Sequence, residues 1–139
     1  MRLREQQEKI VELLKATACL SDLTIIAEER QDLLTTVNTS LAKLGLCIIV
    51  QTLSAKVTKP NKPGPVYDDI KVSVVVYENV MINRSKSERT AMSVAEDISE
   101  ALHQKRLEKD GTGKMLLSEG VLPQQDSNLF VCAVDLTIN

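Results

Sequence analysis

The amino-acid sequence predicts an α+β fold, a mixed and mainly antiparallel sheet with helices packed on it, and three observations carry that reading. Between Asp69 and Tyr77, the residues Ile70, Val72, Val74 and Val76 recur with period two, the pattern of a strand with one buried face. Lys71, Ser73 and Tyr77 share the other side, which is expected to be wetter. The period then changes: Ala91, Val94, Ala95, Ile98, Ala101 and Leu102 fall on one helical stripe. Near the end of the chain it returns to two, with Phe130, Cys132, Val134, Leu136 and Ile138 as a core face.

In chain order, Leu3 to Ala18 set Ile10, Leu13, Leu14 and Thr17 on one face of an amphipathic helix, with Glu5, Glu8, Lys9, Glu12 and Lys15 around it, and Ser21-Asp22 close or follow it. Leu23 to Glu28 are short and β-branched, which favours a strand. Asp32 is placed to cap a second helix carrying Leu33, Leu34, Val37, Leu41 and Leu44, and Gly45 stands where a left-handed stop belongs. Leu46 to Val57 form a strand, apolar on both faces at first and alternating later, so its far end is expected to be less covered than its beginning. Lys59-Pro60-Asn61-Lys62-Pro63-Gly64-Pro65 excludes regular structure and makes an exposed loop between two antiparallel strands.

The central strand leads through Asn79 to Asn83 to Ser85-Lys86-Ser87-Glu88, a capping box for the long helix that runs to Gln104. Lys109 to Lys114 turn the chain, and strands Met115 to Leu122 and Leu129 to Ile138, joined through Pro123 to Asn128, complete it. The order is helix, strand, helix, strand, strand, helix, strand, strand. Parallel neighbours are allowed only where a helix intervenes, with right-handed crossovers. No internal repeat or long linker divides the chain, so one domain spanning 1–139 is expected.

A charged fraction of 26% with a net charge of −2 implies neither a nucleic-acid nor a membrane partner. Cys19, Cys47 and Cys132 are odd in number, far apart and set among apolar residues, which reads as three buried free thiols in a reducing cytoplasm. The charged start of the chain and the absence of a membrane-length apolar run give the same expectation of location.

Candidate chemistry is sparse. Gly111-Thr112-Gly113-Lys114 looks like the end of a phosphate-binding loop, but a helix precedes it and the strand-like Met115-Leu116-Leu117 follows, so a glycine turn is the better reading. His103, the sole histidine, stands near a helix end without a metal partner or nucleophile beside it. Glu96, Asp97 and Glu100 lie on the polar side of the long helix and read as a solvated face. Asn83-Arg84-Ser85 matches the glycosylation sequon but reads as a helix approach. Lys56, Lys59 and Lys62, and separately Arg84, Lys86 and Arg89, form small basic clusters able to meet phosphates; with two tyrosines and one phenylalanine there is little for a base-stacking platform.

The element order, the proline-rich loop, the valine strand running into Tyr77-Glu78-Asn79-Val80-Met81-Ile82-Asn83-Arg84, and the alanine-rich helix Ala91 to His103 together resemble small tail proteins of long-tailed bacteriophages, most of all the tail terminator or tail-completion proteins. The resemblance spans Leu33 to Ile138 and rests on the pattern and on the strand-to-helix junction. It implies a structural protein rather than an enzyme. Such a protein caps the tail tube as a ring, a hexamer being favoured, stops tube growth and presents the joint to the head. Its implied partners are further copies of itself, the tail tube protein and the head–tail connector, with non-specific contact to DNA in the lumen and none with membrane. Its implied place is the virion tail, after assembly in the host bacterial cytoplasm.

Other head–tail joining or tail-tube-like proteins share the pattern. The residues alone also fit a cytoplasmic protein-binding adaptor module or, third, a small enzyme using the long-helix carboxylates. Under the ring reading, the contact residues are Lys59, Asn61 and Lys62 in the loop and Arg84, Lys86 and Arg89 at the helix entrance. No catalytic residue, cofactor or metal ligand is assigned.

Overall fold

The valine strand lies at the centre of a five-stranded sheet of order β1-β2-β3-β5-β4, in a computed structural model that describes residues 3–27, 41, 45–58, 66–86, 89–107, 114–126 and 129–138. The strands are β1 (Thr24–Ala27), β2 (Leu46–Thr58), β3 (Val66–Asn79), β4 (Leu116–Asp126) and β5 (Leu129–Ile138). Only β1 and β2 are parallel; β2 with β3, β3 with β5, and β5 with β4 are antiparallel. The fold is therefore α+β with a mixed, mainly antiparallel sheet. The described helices are α1 (Leu3–Lys15), a 3₁₀ turn (Ala18–Leu20), α2 (Val80–Lys86) and α3 (Ala91–Leu102). The expected helix from Asp32 to Leu44 lies outside the described residues except for Leu41, which is helical. Gly45 has φ +77°, and its N–H donates to the Leu41 carbonyl at 3.1 Å, as expected of a left-handed helix stop.

The main core lies between one sheet face and α1 and α3. Ile48, Val50, Val72, Val74, Val76, Val134 and Leu136 on the strands meet Ile10, Leu14, Val94, Ala95, Ile98 and Leu102 on the helices. Burying each large aliphatic chain contributes about 1.5–3 kcal/mol, more than a helix cap supplies, so α3 is held chiefly by this face.

Four expectations are corrected. The second face of β3 is not simply wet. Lys71 is exposed, but Ser73 and Val75 are buried, and Tyr77 packs with Leu129 and Ile26 on a second cluster of Leu41, Cys47 and Ile49. The long helix starts at Ala91, not at the Ser85 box, because Ser85 belongs to α2, a separate turn of helix begun by Asn79, whose Oδ1 accepts from the Ile82 N–H. Thr90 is the true cap: its hydroxyl accepts from the Ser93 N–H at 3.1 Å while Ser93 Oγ accepts from the Thr90 N–H at 2.9 Å. Cys19 is exposed, since in the 3₁₀ turn the inward position goes to Leu20; Cys47 and Cys132 are buried as expected. Finally, Pro123 lies within β4 rather than in a connection, which an edge strand allows because its outer side needs no N–H.

Candidate interaction surface

β2 and β3 are longer than their described neighbours, so among the described residues their far ends pair only with each other, as a two-stranded arm. β1 stops opposite Val50, and β5 stops with Ile138 opposite Ile70, yet β2 and β3 remain paired to Thr58 and Val66. Thr58 and Val66 pair across the ends of 59–65, so that segment joins two antiparallel strands as expected. Lys59, Asn61 and Lys62 themselves lie outside the described residues.

The arm is irregular. Leu53 has no residue opposite it in the β3 register, and Asp69 has φ 48°. It also carries two exposed apolar side chains: Leu53 is 57% and Val57 52% exposed. An open trough of about 490 Å³ runs along the arm's root, with Lys56 and Lys71 opposed by Asp69 and Glu119. Lys56 Nζ stands 3.7 Å from Asp69 Oδ2, so the charges there are mixed and converge on no single anion or cation site.

The opposite end of β3 is a polar junction. Glu78 is buried, and its carboxylate accepts from the Ala91 N–H at 3.0 Å, at the first turn of α3, and from Asn83 Nδ2 at 2.6 Å. A negative group there suits the free amides and the dipole of a helix start. Asn83 Nδ2 also donates to the Arg89 carbonyl, while its buried Oδ1 has no partner among the described residues. Gly45 packs on the Asn83 backbone, and its carbonyl accepts from the Asn79 N–H at 2.8 Å.

Arg84 and Lys86 belong to α2, but their side chains lie outside the described set. Arg89 is engaged within its own chain: Nη2 donates to Asp22 Oδ2 at 2.7 Å, and Nη1 to Asp22 Oδ1 at 3.2 Å and to the Cys19 carbonyl at 2.7 Å. The Arg89 hydrogen bond holds the Asp22 carboxyl below its ordinary value. Of the two expected basic groups, the described side chains are thus Lys56 on the arm and Arg89 beyond the opposite end of β3. Arg89 has a clamping role that sequence reasoning missed, for its partner lies 67 residues away.

The remaining candidates stay apart. His103 follows α3, and its Nδ1 accepts from the Ser118 N–H at 3.0 Å, tying the helix end to β4. Glu96 and Glu100 are exposed and Asp97 is half-buried; among the described residues no three His, Cys, Asp or Glu side chains group as metal ligands. Burial pushes the Cys132 thiol up, with the Glu96 charge adding to it, so this sulfur is held in its unreactive neutral form. Gly111 to Gly113 lie outside the described residues, but Arg106 and Met115 on their flanks pair antiparallel and β4 follows, where a phosphate loop would need a helix. Among the described residues, no helix is long and apolar enough to cross a membrane.

No protein-family model matches the chain, and neither does any curated protein. Its fold is similar to that of a solved protein whose name describes no function, with a TM-score of 0.52 over 98% of this chain and 92% of that one at 10% identity. A likeness at that identity speaks for the fold alone.

Proposed function

We propose that the chain is a structural assembly protein of a phage tail, a subunit of a ring that caps the tail tube and forms the joint to the head. The observation that carries this reading is the β2–β3 arm. Among the described residues it extends beyond the other strands and presents exposed Leu53 and Val57, and it leads into the segment 59–65, rich in proline and lysine in sequence. A hairpin needs only a two-residue turn, so the length of 59–65 is not required by the strands it joins. Three prolines lower the entropy that docking would remove. The sequence resemblance to tail terminator proteins names the kind of partner: a neighbouring subunit, the tube, or DNA in the lumen. In this reading Lys59, Asn61 and Lys62 make the contacts of the arm, and Arg84 and Lys86 those of the opposite end, while Arg89 fixes the entrance of α3.

Shortening Lys59–Pro65 to Asn-Gly tests this. The melting temperature should stay within a few degrees, while completion of tails in a phage assembly assay is lost. Infectious particles from the shortened protein would contradict the proposal. A collapsed melting temperature would show that the loop packs on its own subunit.

A further inference from the structure

The β2–β3 ladder carries two irregularities that cancel. Thr52 pairs with Val72 and Lys56 with Asp68, an advance of four residues in each strand, so the arm resumes the register that the sheet left. Between those pairs only Ser54 and Lys71 stand opposite each other. Leu53 is the extra residue of β2, and β3 sets Ile70 and Asp69 against Ala55 alone. Asp69 makes the second irregularity with a left-handed backbone, φ 48°, which an aspartate adopts only at a cost. A regular ladder fits between the same flanks without any slip: Leu53 opposite Lys71, Ser54 opposite Ile70 and Ala55 opposite Asp69.

The two ladders turn different side chains to the same side. In the observed one, Ser54 and Lys56 line the trough with Lys71, and Ala55 packs against the main core. Residues opposite each other share a face, and Ile70 belongs to the main core. The regular ladder therefore puts Ser54 on the core side and aligns Leu53, Ala55 and Val57 in one stripe on the trough side. Leu53-Ser54-Ala55-Lys56-Val57 has that alternation of apolar and polar residues, the pattern of an unbroken strand. The kinked ladder gains from placing Ala55 rather than a hydroxyl against the core. Against it stand the left-handed Asp69 and the unpaired, exposed Leu53.

We infer that residues 53–56 of β2 and 68–70 of β3 form a two-state switch, which exchanges the kinked ladder for the regular one while the register on both flanks stays the same. The change is local. Ile70 and Lys71 are held by Ile138 and Thr137 of β5, and Val57 keeps Tyr67 as its partner. Leu53, Lys56 and Val57, which turn over, are all exposed, so little packing opposes the exchange. One state offers a broken face, the other a continuous apolar stripe. The inference does not rest on the ring reading.

Nuclear magnetic resonance relaxation dispersion on the wild-type chain should show microsecond-to-millisecond exchange at the amides of 53–56 and 68–71, and none at Ile48–Val50 or Val74–Val76. Asp69→Gly, which removes the cost of the left-handed backbone, should reduce the minor population at least about fivefold. Two further variants favour the regular ladder by independent routes. Asp69→Val brings a branched side chain that the left-handed backbone excludes, and Ser54→Val sets an apolar side chain on the core side. In either variant, cross-strand nuclear Overhauser contacts should move from positions 54 and 71 to positions 54 and 70, with the contact between Val57 and Tyr67 kept. Flat dispersion profiles in the wild type, contacts between positions 54 and 71 retained in both valine variants, or loss of the Val57–Tyr67 contact in both would each overturn the switch. A move in one valine variant with that contact kept supports it. None of these results bears on whether the protein caps tubes, which is read separately on tubes.

Discussion

Gly45 joins three elements through one residue. Its φ of +77° ends the helix that includes Leu41, its carbonyl accepts from Asn79 at the end of β3, and the space where a Cβ would stand is taken by the Asn83 backbone at 2.6 and 2.7 Å. An alanine there must adopt a left-handed backbone and push on main chain that cannot yield. We expect Gly45→Ala to destabilise by roughly 2–4 kcal/mol in denaturant titrations. Gly120→Ala is the control, with nothing within 4 Å of its Cβ position.

The Asp22–Arg89 clamp makes a pH prediction. The Asp22 carboxyl is depressed in the folded state, first by its hydrogen bond from Arg89. Its contribution is therefore fully present above the unfolded carboxylate value, about 3.9, and is lost as pH falls through the lower folded value. Because the carboxylate is largely solvated, the effect is at most about 1 kcal/mol. Asp22→Asn should lower the melting temperature slightly at neutral pH, and the gap to wild type should close on acidification; a gap that stays constant to strongly acid pH would remove the clamp from the account. Gly45 was legible as a stop because glycine after a helical stripe has one common use. The clamp was not, because nothing local ties Asp22 to Arg89.

At the scale of elements, what could be read was what one period dominates. β3, α3 and β5 each follow a single repeat set by the face they bury; the two strands were found in place, and α3 where its apolar stripe lies, although it starts at Ala91 and not at the Ser85 box. α2 was missed because Val80, Met81 and Ile82 form an apolar run too short to show a period, and the Ser85–Glu88 box next to it imitates a helix start. The burial of Ser73, between Gln51 and Asp135 in the register, was hidden because what covers a second face is decided by distant chain. The cap assignment can be tested directly: Thr90→Ala should cost about 1 kcal/mol, and Ser85→Ala should leave the cap of α3 intact. Equal losses from the two variants would return the start of the helix to Ser85.

At the scale of the molecule, the α+β architecture followed from the alternation of periods, and the less covered far end of β2 was foreshadowed by its change from apolar on both faces to alternating. The basic clusters were legible only as positions. That Lys56 and Arg89 stand towards opposite ends of β3, and that Arg89 pairs with Asp22, are consequences of strand length and long-range contact. The central claim is that this surface caps a tube. Electron microscopy of purified tail tubes mixed with the protein tests it most directly: the account predicts a ring of additional density on one end of each tube and no further tube growth after its addition, whereas bare tube ends and continued elongation at saturating protein would contradict it.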